Sequence, residues 1–253
     1  MTKKPQNTSS KWQSLSLVLG LAVLWQLSVS LNWTDAFILP GPVSVIRALY
    51  IDFELLMYHS SVTLSQAFIG LGISIILGYT AAICMDRFSY FRNALYPLLI
   101  LSQTIPYIAV APLLIIWFGF GMTSKIVLIV ILCFFPIAVN GYDAIRGIGR
   151  EYIDELAVCG GNYSQGLWFV KLPMSLPGFF SAIKIAAAYS IIGSVVSEWI
   201  GGNRGLGVYM TRVRKSYEFD KMFAAVLVIS LLSLLLMILI KYLERRSLEY
   251  VRQ

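Results

Sequence analysis

Charge is scarce in this chain. Asp, Glu, Lys and Arg make up 13% of its 253 residues, where soluble chains carry about a quarter. That leaves too little polar surface to hydrate a soluble domain of this length, which excludes an ordinary soluble enzyme or binding module. Histidine occurs once, as His59, where an apolar stretch begins beside Ser60 and Ser61. It reads as an interfacial polar residue rather than a metal ligand, since lone histidines are scarce as ligand sites. Cys84, Cys133 and Cys159 are the only cysteines and show no CxxC spacing, so neither a disulfide framework nor a metal site follows. No GxxxxGK(S/T) stretch is present to cradle ATP phosphates. HExxH, GxSxG and paired carboxylates in a plausible site are also missing, which leaves a membrane-embedded enzyme without its chemistry. Any energy for work must come from a partner.

What the chain has is apolar sequence: 58% of its residues are hydrophobic. A membrane-crossing helix needs about 20 mainly apolar residues. Runs of that kind lie at about 12–31, 60–85, 94–120, 125–140, 178–200 and 222–240. The fold class is therefore an all-α membrane protein with about six spans, in one membrane domain over 12–240, between tails at 1–11 and 241–253. The first run, preceded by Lys3, Lys4 and Lys11, has a signal-like start but is long for a signal and is followed by more spans. It reads as an uncleaved anchor.

The net charge is +7, from 20 Lys and Arg against 13 Asp and Glu. Because the charges lie between apolar runs, they suit an orientation bias rather than nucleic acid, which is not an expected partner. With the N-terminus inside, the cytoplasmic segments hold Lys3, Lys4, Lys11, Arg87, Arg92, Arg146, Arg150, Lys171, Lys241, Arg245, Arg246 and Arg252. Both termini are expected in the cytoplasm. The outer segments retain a basic cluster from Arg204 to Lys221, including Arg212, Arg214 and Lys215. It has two readings, a solvated loop or a docking surface for an acidic partner.

Small residues recur every four positions in two spans: Gly70, Ser74 and Gly78, then Ala182, Ala186, Ser190 and Ser194. Such stripes let helix backbones approach closely in lipid. Packing and solute lining are both open to them. Pro97, Pro106 and Pro112 disturb the third run, as a structural kink or as a bend beside a translocation path. Glu198 is the main acid inside a span, with a structural or a gating use beside Gly201 and Gly202.

The polar stretch 141–177 is too long for a simple turn. Glu151, Asp154 and Glu155 start a short helix, Gly160-Gly161 should stop it, and Asn162-Tyr163-Ser164 can cap a second one. Pro173 and Pro177 mark the entry to the fifth span. A helix–break–helix at the cytoplasmic surface is expected, as a docking platform or an interfacial element.

Glu155-x-Ala157-x-x-x-Gly161 followed by Val170-x-Leu172-Pro173 resembles the "EAA…G…I-x-L-P" loop of ABC importer permeases. Leu156 stands where the family has its first Ala, and the spacing from Gly161 to Val170 is one residue short. Leu39-Pro40-Gly41-Pro42-x-x-Val45, Ile105-Pro106-x-x-Ala109-x-Ala111-Pro112-Leu113, Trp117-Phe118-Gly119-x-Gly121 and Ser197-Glu198-Trp199-Ile200-Gly201 with Gly205-Leu206-Gly207 are similar to motifs of the nitrate, sulfonate and taurine branch. The resemblance runs from about Leu39 to Arg246, in order.

The resemblance implies the fold of type I ABC importer permeases, a non-catalytic subunit, and a homodimer forming the pathway. It implies two cytoplasmic ABC ATPase subunits that bind the ATP, so that no cofactor belongs to this chain, and an extracytoplasmic solute-binding protein. Membrane lipid is the remaining partner. Glu155, Ala157, Gly161, Leu172 and Pro173 would form the ATPase-coupling loop, and Arg204, Arg212, Arg214 and Lys215 are candidates for docking the binding protein. Solutes of the branch include nitrate, sulfonates, taurine and the pyrimidine precursors of thiamine. Gly201 to Met210, with Arg214-Lys215-Ser216 after it, looks most like permeases of the pyrimidine-precursor group. A secondary transporter or a channel without an ATPase is the alternative, but coupling charges at the midplane and internal repeats are not seen.

Overall fold

The computed structural model describes residues 8–251, apart from the side chains of residues 8–12, 14, 15, 18, 150, 157, 250 and 251. Lys3, Lys4 and Arg252, and the side chains of Lys11, Arg150 and Ala157, therefore lie outside the described residues. The described residues are helical, with no strand among them. In chain order the helices are α1 (Thr8–Ser30), α2 (Pro42–Ile51), α3 (Phe53–Arg87), α4 (Ser89–Ser102), α5 (Tyr107–Phe118) and α6 (Met122–Arg146). They are followed by α7 (Arg150–Val158), α8 (Tyr163–Gln165), a π-helical turn at Gly166–Lys171, α9 (Leu172–Gly201), α10 (Leu206–Lys215) and α11 (Phe219–Val251).

Among the described residues four stretches are long and apolar enough to cross a membrane: Phe53–Arg87, Met122–Arg146, Tyr163–Gly201 and Phe219–Glu249. The pair α4 and α5 adds a fifth candidate, bent by 105° at its break. That break falls at Gln103–Pro106, while Pro97 and Pro112 sit inside helices. Pro106 is the N-cap of α5, where its missing N–H costs no hydrogen bond, and it keeps Ile105 out of helical geometry. α3, at 35 residues, is about 50 Å long against a hydrocarbon core of about 30 Å, so it extends past the membrane. α11 likewise continues beyond Ile240 as helix, up to Val251.

The chain divides into two compact units. One comprises the chain up to Met57 together with Tyr209–Val228. In it Pro42 opens α2, and Val45 and Ala48 of α2 pack with Ala224, Trp25 and Phe223. Val45 is the last residue of the Leu39–Val45 motif, so that motif starts a helix and plants its first buried side chain. The Tyr209 phenol donates to Asp52 Oδ2 at 2.8 Å, and Lys221 Nζ stands 2.9 Å from Glu218 and 3.6 Å from Asp52.

The other unit comprises Tyr58–Val208 and the chain from Ile229. Its core is the pairing of α6 with α9, joined by α3 and α11 through Ala67, Leu71, Ile129, Ile137, Ile183 and Leu236. The small-residue stripes lie in these contacts. A side chain at Gly70 would overlap Ile129, and one at Gly78 would overlap Ile137, so α3 and α6 approach as closely as their backbones permit. Ser74 Oγ donates to Gly70 O at 2.7 Å, Ser190 Oγ to Ala187 O at 2.8 Å, and Cys133 Sγ to Ala186 O at 3.2 Å. Lipid offers no partner for these groups, so the two serines bond within their own helices and Cys133 bonds across from α6 to α9.

Candidate functional site

The stretch after α6 folds as an acidic helix, a glycine stop and a capped turn. Glu151 stands in the first turn of α7, where a negative charge suits the helix dipole. Gly160 adopts φ 80°, a conformation costly for any side chain, and ends the helix. Gly161 N donates to Leu156 O at 2.9 Å, and a side chain at Gly161 would overlap that of Leu156. Leu156 thus fills the space under the turn and reaches toward Gly166.

Asn162 then forms a reciprocal capping box with Gln165, at 2.9 and 2.8 Å. The second helix is not separate, as the prolines had suggested. α8 runs through the π-helical turn into α9, because Pro173 occupies the first turn of α9, where it is tolerated, and Pro177 is carried inside. Leu172 is buried and anchors the turn, with Pro173 half-buried beside it.

The outer face of this segment stays uncovered. Glu155, Cys159, Tyr152, Phe169 and Met174 line a shallow groove, and Val158 is 89% exposed. Apolar side chains exposed together mark a contact surface, for a protein or for the membrane. The inner face is tied down. Lys171 Nζ contacts Asp86 Oδ2 at 2.7 Å, Tyr163 donates to the same carboxylate at 2.9 Å, and the Arg87 guanidinium lies over the Tyr163 ring at 4.3 Å. These four residues clamp the segment to the end of α3, a partnership that the sequence did not reveal although Tyr163, Arg87 and Lys171 were named in it for other reasons.

A second polar cluster surrounds Glu198, which is 1% exposed. Thr63 donates to Glu198 Oε1 at 2.9 Å, and Gly207 N donates to Oε2 at 2.8 Å. Thr63 Oγ1 accepts from Leu206 N at 2.9 Å, and His59 Nδ1 accepts from Gly205 N at 3.0 Å. Lys125, buried in the first turn of α6, supplies the opposing charge. His59 is buried within the protein, where a backbone N–H in the tight turn requires an acceptor. Gly205 adopts φ 118°, and a side chain there would overlap the Glu198 carboxylate; one at Gly207 would overlap Val195 O. The Gly205-Leu206-Gly207 motif is thus the shape that lets a turn close over a buried acid.

At the α4–α5 break a cavity of about 390 Å³ opens among α5, α6 and α9. Gln103, Tyr107, Pro136 and Tyr189 line it, while Pro112, Ala186 and Ser190 do not. Pro106 does not line it either, although its neighbours Ile105 and Tyr107 do. Arg204, Arg212, Arg214 and Lys215 are all exposed; Arg204 belongs to one unit and the other three, at the end of α10, to the other. Among the described residues no three His, Cys, Asp or Glu side chains group to hold a metal.

The geometry has counterparts. Residues 74–249 match the family described as "Binding-protein-dependent transport system inner membrane component". The formylaminopyrimidine transport permease protein ThiX of Halalkalibacterium halodurans is 36% identical, over 89% of this chain and 90% of its own. The riboflavin transport system permease protein RibX of Chloroflexus aurantiacus is 38% identical, over 93% of this chain and 90% of its own. The fold is shared with a chain of the MetNI methionine ABC transporter in an inward facing conformation, at a TM-score of 0.62 and 19% identity, covering 79% of this chain and 97% of that one. The chain thus belongs, by sequence, to the inner membrane components of binding-protein-dependent transport systems, the non-catalytic permease subunits of ABC importers.

Proposed function

We propose that this permease imports a planar, nitrogen-containing heteroaromatic of the formylaminopyrimidine type, driven by ATPases docked on the α7–α8 segment. The observation that carries the coupling half is the clamped, outwardly exposed face from Tyr152 to Met174. Glu155 offers the ATPase a charge, Gly161 and Leu156 hold the turn, and Leu172 and Pro173 pass its displacement into α9. The segment is fastened to α3 at Asp86, so movement of the ATPases reaches two spanning helices together. ATP is bound by the partner, and two copies of this chain enclose the pathway, with both termini in the cytoplasm. The basic end of α10 meets the binding protein from outside.

The substrate half is supported by ThiX and RibX, both named for the transport of nitrogen heteroaromatics. Nitrate, sulfonates and taurine are the competing solutes. The permease should be reconstituted in proteoliposomes with its ATPase and binding protein, and uptake of radiolabelled formylaminopyrimidine followed. ATP-dependent uptake, with no hydrolysis by the permease alone, is expected. Uptake that proceeds without ATP would sink the ATPase coupling, and uptake of taurine in place of the pyrimidine would sink the substrate.

A further inference from the structure

The cavity at the α4–α5 break has more chemistry than a passage requires. We propose that it is a solute-selectivity site of the permease itself, for neutral planar heteroaromatics bearing amino groups and ring nitrogens. This deepens the proposed substrate and rests on it in part.

The size falls in the range of small-molecule sites, about 300–1,000 Å³. Its walls come from the break and from α5, α6 and α9, so the polar groups converge from separate backbones. Tyr107 and Tyr189 each bring a ring face and a phenol, and Gln103 brings a primary amide that both donates and accepts. The Ser102 hydroxyl gives its proton to Leu99 O at 2.7 Å, which leaves its lone pairs to accept. The wall therefore presents acceptors for an exocyclic amino group, an amide for a ring nitrogen, and aromatic faces for stacking.

Charge argues for the same class. Among the described residues, no Lys, Arg, Asp or Glu lines the cavity. A sulfonate or nitrate entering it would shed water without meeting a cation, which is costly. A neutral aminopyrimidine meets no such barrier. Discrimination against branch solutes that bear a fixed charge is thus built into the wall, in addition to whatever the binding protein selects.

The test uses the full chain in lipid nanodiscs, with radiolabelled formylaminopyrimidine as probe in equilibrium dialysis. Saturable binding is expected, displaced by 4-amino-2-methylpyrimidine and not by taurine. Gln103→Ala should weaken it about tenfold and Tyr189→Phe about threefold, the range of single neutral hydrogen bonds. In the assembled transporter the same variants should raise the apparent KM while the binding protein's own affinity stays unchanged. Tyr189→Phe keeps the ring and guards against a folding defect. Absence of saturable binding overturns the site, whether lipid or a second copy fills the cavity, and so does binding that both variants leave unaltered. Formylaminopyrimidine uptake by the wild-type transporter without binding to the chain would sink the site alone. Binding to the chain without uptake would sink the proposed substrate alone.

Discussion

Lys171 Nζ lies 2.7 Å from Asp86 Oδ2, and this pair ties the base of α9 to the end of α3. Both side chains are largely shielded, so removing one leaves its partner poorly solvated. Lys171→Ala or Asp86→Ala should cost about 1–2 kcal/mol, between exposed and buried pairs. The more telling measurement is solute-stimulated ATP hydrolysis against uptake in the assembled transporter. Hydrolysis should continue while uptake falls, and the swapped pair, Asp86→Lys with Lys171→Asp, should recover part of the uptake. Equal loss of both activities would make the clamp structural only.

The turn over Glu198 admits no side chain. Gly205→Ala and Gly207→Ala should each destabilise the protein by about 1–3 kcal/mol, from strain and overlap. Thr63→Val removes the donor at 2.9 Å and should cost about 1–3 kcal/mol, because a buried carboxylate oxygen loses its partner. Thermal unfolding in detergent reads all three. Unshifted midpoints would mean that the turn is looser than its geometry.

At the coupling face, Glu155→Lys and Gly161→Val should abolish or strongly reduce co-purification of the ATPase. Membrane insertion should be unaffected, since neither residue belongs to the apolar core. The Gly161 variant must also displace Leu156, so its loss should be the larger. Co-purification at wild-type yield would place the ATPase contact elsewhere.

Reversing Arg212, Arg214 and Lys215 together to Glu should slow association of the binding protein about 10-fold or more at low salt. The deficit should shrink as ionic strength rises, because exposed charges are screened beyond about 10 Å at 0.1 M. Stopped-flow association across a salt series provides the measurement. A salt-independent rate, or an unchanged one, would leave these residues a solvated helix end.

Burial, and then the Asp52 carboxylate, raise the Tyr209 phenol above its ordinary value. A group held up in the folded state stabilises it fully below the unfolded value, about 10 for tyrosine. That contribution is lost as pH rises beyond it. Tyr209→Phe should therefore cost about 1 kcal/mol at pH 7, and the gap from wild type should narrow only above about pH 10. Unfolding midpoints measured from pH 7 to 10.5 would expose any earlier narrowing.

Membrane residence was legible from the residue order alone. Scarce charge and long apolar runs leave lipid as the only solvent, and this follows from composition whatever the fold. The helix stop and the cap after α7 were legible because Gly160-Gly161 and Asn162 are local signals, each acting through its own backbone. Spacing could not reveal that Pro177 is carried inside α9, or that the break in the third run lies at Gln103–Pro106. A proline marks a lost hydrogen bond, but tertiary packing decides where the axis turns.

The long-range partnerships belonged to the fold entirely. Thr63 and Glu198 are 135 residues apart, Lys171 and Asp86 are 85 apart, and nothing in either local pattern names the other. Buried polar groups in lipid must find partners, so the residue order dictates that Glu198 be satisfied. Which hydroxyl and which backbone N–H satisfy it is settled only when α3, α9 and the glycine turn come together.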